Sequence, residues 1–216
     1  MHSKTVRMFK SALYTLPLAG ILLLPLQHTF SQTGYIPGYV VLNSNDTIYG
    51  TVKDRNNGSL FKKIKFKDHH GKTHRFGPGD ILMYQSGPNL FESIWYRDDS
   101  VLFIPKYYSR PNQDEKVFLK VLAKGELSCY AMEFIHVDSD VLDQFELFKR
   151  EGASMFARAT QGIFGLKRKA LASYFHDCPE LVKKINGQSL KTPLEVTHYY
   201  NTHCGNAQQN TTRSGS

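Results

Sequence analysis

The stretch Tyr39 to Lys53, Tyr-Val-Val-Leu-Asn-Ser-Asn-Asp-Thr-Ile-Tyr-Gly-Thr-Val-Lys, constrains the fold more than any other part of the chain. Two β-branched and aromatic runs flank Asn43-Ser44-Asn45-Asp46, residue types that tolerate left-handed backbone and cap turns with their own side chains. The pattern predicts a β-hairpin with a short polar loop. In its second arm Ile48, Gly50 and Val52 share one face, and Thr47, Tyr49 and Thr51 share the other.

The design recurs. Phe61 to Asp68 alternates, with Ile64 and Phe66 on one side and Lys63, Lys65 and Lys67 on the other; His69-His70-Gly71-Lys72 makes a turn and Thr73 to Phe76 returns. The lysine face reads either as a binding stripe or, more simply, as a solvated or edge-protecting face. After the breaker Gly77-Pro78-Gly79, Asp80 is expected to cap a short turn through Ile81 to Gln85. Phe91–Tyr96 and Ser100–Ile104 read as strands, and Tyr107–Glu115 as loop. Val117–Leu122 and Leu127–Glu133 form the clearest hairpin, apolar on both faces of its first arm, which places it in the buried middle of the sheet. Phe134 to Gly152 fits helix and strand patterns and is assigned as strand and turn.

From Gly165 the periodicity changes. Lys167 to Phe175 puts Leu166, Ala170 and Tyr174 on one helical stripe. Asp177-Cys178-Pro179-Glu180 and Thr192-Pro193-Leu194-Glu195 both read as capping-box helix starts, the first ending at Asn186-Gly187 and the second running to His203. The expected fold is therefore α+β: an antiparallel, hairpin-rich body (sheet, sandwich or partial barrel) over 32–160, followed by short C-terminal helices over 161–204. Residues 205–216, almost without apolar side chains, read as a disordered tail.

The first 31 residues read as a secretory signal peptide. Lys4, Arg7 and Lys10 stand without an acid, Ala12 to Leu26 is almost wholly apolar, and Thr29-Phe30-Ser31 supplies small residues before cleavage at Gln32. The apolar run is too short and proline-broken for a span, so no transmembrane segment is expected after cleavage. Three of the 27 basic residues leave with the leader, so the mature chain carries 24 basic against 19 acidic residues, a net of +5. This mild excess suits anionic envelope polymers and does not argue for nucleic acid.

In an oxidising compartment Cys178, opening one helix, and Cys204, closing the next, form the natural disulfide, leaving Cys129 as a buried thiol. His69, His70 and His74 are weak metal candidates: adjacent histidines on a turn point apart, and no carboxylate or thiol stands at ligand spacing. His198 and His203 miss the spacing of one helical face. No phosphate loop, nucleophile elbow or His-Glu-x-x-His motif occurs, and no cofactor is expected. His136, His176 and Asp80 remain as scattered catalytic candidates, with Cys129 as a rival nucleophile.

The segments Gly38–Asn43, Asp46–Gly50 and Tyr174-Phe175-His176-Asp177-Cys178-Pro179-Glu180-Leu181 resemble uncharacterised secreted proteins common in Bacteroidetes. Those proteins pair a β-rich body with a helical end bearing Asp-Cys-Pro and a later cysteine. The resemblance implies an envelope location and brings no activity. It also implies O-glycan acceptor triplets, which Asp46-Thr47-Ile48 and Asp99-Ser100-Val101 fit at Thr47 and Ser100. The functional expectation is an exported, non-enzymatic module binding an envelope protein or glycan, secreted or periplasmic, of open oligomeric state. The alternative is an envelope hydrolase with a dispersed active site.

Overall fold

A computed structural model of the chain describes residues 34–53, 63–102, 104–135 and 141–205. The expected leader, the loop at Arg55–Ser59, His136 and the tail from residue 206 lie outside the described residues. The strands are β1 (Ile36–Leu42), β2 (Thr47–Lys53), β3 (Ile64–Asp68), β4 (Thr73–Phe76), β5 (Ile81–Ser86), β6 (Asn89–Asp98), β7 (Tyr107–Tyr108), β8 (Glu115–Ala123), β9 (Leu127–Ile135), β10 (Leu142–Arg150) and β11 (Met155–Arg158). Three short helices follow: α1 (Arg168–Tyr174), α2 (Pro179–Asn186) and α3 (Pro193–Tyr199), the last running on into a wider turn, Tyr200–Cys204. The fold is α+β, a β-rich antiparallel body with helices at its C-terminal end.

Within the sheet, β6, β8, β9, β10, β11 and β7 pair in sequence, and β7 returns to β6, so these strands close into a ring. The remaining strands leave the first half of β6 as an arm in the order β5, β1, β2, β3, β4. The period-two rule then sorts the apolar residues into three cores. Inside the ring lie Tyr107, Val117, Leu119, Tyr130, Met132, Leu147 and Phe156. Outside it, Leu127 and Cys129 of β9 and Phe148 of β10 pack against Leu171, Leu181, Ile185 and Val196 of the helices. Phe91 and Phe118, on the outer faces of β6 and β8, join Val40, Val52, Ile64, Phe66, Ile81 and Tyr84 of the arm. Side chains of this size each contribute roughly 1.5–3 kcal/mol when fully buried. The expected hairpin β8–β9 is thus covered on both faces, with Leu127 to Met132 all buried.

Two glycines let the arm coil tightly. A Cβ on Gly50 would run into the Lys67 carbonyl and the Phe66 ring, and one on Gly38 into the Gln85 carbonyl. Four expectations need correction. Ile81–Gln85 is not a turn but strand β5, because pairing with β1 buries Ile81 and Tyr84 completely. Ser100–Ile104 is not a strand: Val101 and Ile104 close a tight turn on each other, and Leu102 at its tip takes φ 52°. Within the expected loop Tyr107–Glu115, Tyr107–Tyr108 pairs with both β6 and β11 and completes the ring.

The fourth concerns the helix starts. Thr192 caps α3 as expected, accepting from Glu195 N (3.2 Å) while the Glu195 carboxylate accepts from Thr192 N (2.9 Å). Asp177 does not cap α2; the cap position is Cys178, with no side-chain bond. Asp177 instead accepts from Arg150 of β10 and from the Tyr200 hydroxyl (3.0 Å). Arg150 also donates to the Tyr174 carbonyl (2.7 Å) and lies over the rings of Tyr174, Phe175 and Tyr200. A disulfide joins Cys178 to Cys204, Cα atoms 5.8 Å apart, and so ties the start of α2 to the turn after α3. Among the described residues no helix is long and apolar enough to cross a membrane.

Candidate binding face

The inner face of the arm is its core, so the alternate residues of β1 to β4 form an outer face. On β2 these are Tyr49, Thr51 and Lys53; on β3, Lys65 and Lys67; on β4, Thr73 and Arg75; β1 adds Tyr39. The ladder then sets one row across three strands: Lys53 opposite Lys65, and Lys65 opposite Arg75. Directly opposed side chains on a sheet stand about 5 Å apart at Cβ, where like charges destabilise. Lys67 lies in the next row between Thr51 and Thr73, and Lys63 precedes β3.

Among the described residues nothing on this face offsets that repulsion. The only carboxylate among the residues of β1 to β4 is Asp68, and it is engaged elsewhere. Its Oδ2 bonds His74 Nε2 at 2.9 Å, and Oδ1 accepts from His70 N and Lys72 N. The His74 hydrogen bond, working against partial burial, holds the Asp68 carboxyl below the usual range. Edge protection accounts for Arg75, since β4 ends the sheet, but not for the lysines of β2 and β3, which have neighbours on both sides. Beside the cations Tyr39 opposes Tyr49, ring centroids 5.8 Å apart, and Tyr49 is 70% exposed. An ordered row of cations near the exposed Tyr49 ring and its half-buried partner Tyr39 can hold an extended anion by charge and by ring contact.

Of the residues singled out in the sequence, Thr47 lies exposed at the start of β2. Ser100 is exposed in the turn after β6, its hydroxyl accepting from Lys106 N. His69 and His70 are exposed on the β3–β4 turn with ring centroids 3.8 Å apart, whereas His74 turns to Asp68 and stacks on Phe76. Among the described residues no three His, Cys, Asp or Glu groups are placed to hold a metal. Asp80 closes the β4–β5 turn by accepting from Gly77 N (2.7 Å), and His176 sits exposed after α1 beside the Ser173 carbonyl. No hydrogen bond or ion pair joins the two. Cys129 is fully buried; burial, opposed by a hydrogen bond with Thr197, pushes its thiol up to about 12, the opposite of an activated nucleophile. Lys53 and Arg75 escaped sequence reasoning because only the register places them beside Lys65.

No family model matches the chain, and no match emerged among curated proteins or solved structures.

Proposed function

We propose that this chain is an exported, non-enzymatic module of the cell envelope, of the kind seen in the secreted Bacteroidetes proteins it resembles, and that its arm engages an anionic glycan. The observation that carries the reading is the row Lys53–Lys65–Arg75, set in register on a face whose own strands supply no carboxylate to balance it. The leader pattern and the Cys178–Cys204 disulfide support an oxidising location outside the cytosol, where acidic polysaccharide is one class of polyanion the arm can meet. Among the described residues the hydrolase reading gains no support, since Asp80 and His176 do not meet and Cys129 is sealed in the core.

The test is titration of polygalacturonate at about 150 mM salt, where exposed charges are screened beyond roughly 8 Å. Three solvent-accessible contacts at about 0.5 kcal/mol each sum to about 1.5 kcal/mol, so the triple variant Lys53→Gln, Lys65→Gln, Arg75→Gln should bind roughly tenfold more weakly. A control triple of equal net charge, Lys169→Gln, Lys183→Gln, Lys191→Gln, should change affinity less than about twofold. Equal losses in both triples would reduce the effect to net charge and defeat the proposal.

A further inference from the structure

A second site, independent of the arm face, opens through the wall of the ring. On one side β6 pairs with β5 through Asn89–Glu92 and with β7 through Arg97–Asp98, so residues 93 to 96 have no ladder partner there. Opposite this free edge stand Ser109 and the turn Gly152–Ser154, and the slot between them holds about 390 Å³. The register brings Glu92, Tyr130 and Lys149 to it on the inner face, since Glu92 opposes Leu119, and Tyr130 opposes Leu147, two places from Lys149.

The charges in the slot are not matched. Glu92 is fully provided for: the Tyr130 hydroxyl donates to it at 2.7 Å and the Lys124 ammonium at 2.9 Å, and Lys124 also donates to the Tyr130 oxygen at 2.9 Å. Lys149 is half-buried, and among the described residues its ammonium has neither a hydrogen-bond acceptor nor an ion pair. Burial first, and the Lys124 charge second, lower its hold on its proton, and the Glu92 and Glu151 charges offset them only in part. A cation desolvated without a partner costs free energy that an entering anion recovers.

We infer that this slot binds a small molecule carrying a single carboxylate, of monosaccharide or amino-acid size, with the carboxylate on Lys149 and its hydroxyl or amide groups against Ser109, Ser154 and the free edge of β6. The volume lies at the small end of ligand pockets. One unpaired cation balances one negative charge; a phosphate dianion would leave a second charge facing Glu92. Ile94 lines the slot and packs on the apolar ring interior.

The experiment is calorimetric titration of the whole chain with glucuronate, with glucose as the uncharged analogue and inorganic phosphate as the alternative anion. Glucuronate should bind, glucose at least roughly tenfold more weakly, and phosphate more weakly than glucuronate. Lys149→Met should weaken glucuronate by roughly tenfold or more, Lys149→Arg should restore most of it, and Lys169→Met should leave it unchanged. Because Met removes an unpaired charge from a half-buried place, the ligand-free Lys149→Met chain should melt no lower than the parent. No binding of glucuronate by the parent, equal binding of glucose, tighter binding of phosphate, or undiminished binding in Lys149→Met each overturns the assignment.

Discussion

Arg150→Ala should lower the unfolding free energy by about 3 kcal/mol, read as a fall in the urea midpoint at unchanged m-value. Removing one partner of a buried pair costs roughly 3–5 kcal/mol, and the lower end applies because Arg150 and Asp177 side chains keep 22% and 18% exposure. The substitution strands Asp177 and the Tyr174 carbonyl, and it removes a cation from the rings of Tyr174, Phe175 and Tyr200. Arg150→Lys should recover less than half of the loss, since a point charge cannot bond both acceptors and stack at once. A cost below about 1 kcal/mol for Arg150→Ala would mean that the helices dock through apolar contact alone.

The same pair sets an acid limit. Burial raises the Asp177 carboxyl, but the Arg150 hydrogen bond and charge, with the Tyr200 hydroxyl, outweigh it and hold the group below its ordinary value. The unfolded chain therefore binds this proton more readily than the folded one. The stabilisation is present in full above about pH 5 and fades as pH falls through the folded value. Asp177→Asn should accordingly lose less stability than the parent between about pH 5 and pH 2.

The double variant Cys178→Ser, Cys204→Ser should cost about 3.5 kcal/mol, from the closure entropy of a loop spanning 26 positions. For a body of this size that corresponds to a melting temperature lower by roughly 10 °C. Reduction of the parent should reproduce the loss, and the buried Cys129 should be unaffected by either treatment. A loss under about 1 kcal/mol would show that the ends of α2 and of the turn after α3 stay together in the unfolded chain without the bond.

These effects fall on elements that differ in how far the sequence disclosed them. The β1–β2 and β3–β4 hairpins were legible because Ile64 and Phe66 alternate with lysines, and because Asn43–Asp46 and His69–Lys72 carry turn chemistry. Thr192 and Glu195 announced α3 because a capping box is a local device. Asp177 carried the same local signal and misled, since a carboxylate free to cap a helix is equally free to pair with an arginine distant in the chain. Closure of the ring was not legible: it depends on β6 meeting β8 and on Tyr107–Tyr108 bridging β6 and β11, pairings between distant segments that no periodicity encodes.

The sites followed the same division. The lysine stripe of β3 was visible as alternation, but its extension to Lys53 and Arg75 appears only when three strands are set in register. The slot is less visible still, because Glu92, Tyr130 and Lys149 come from three strands and each looks locally like an ordinary strand residue. A faint signal was present in Lys149-Arg150, two cations side by side after Leu147-Phe148, so that in a strand one of them shares the face of Leu147.

Contact between the outer face of the arm and an anionic glycan is read by mapping amide chemical shifts during titration with oligogalacturonate. Saturable shifts should concentrate at Thr51–Lys53, Lys65–Lys67 and Thr73–Arg75, with the helices silent. Shifts confined to the helices, or none at millimolar oligosaccharide, would contradict that contact.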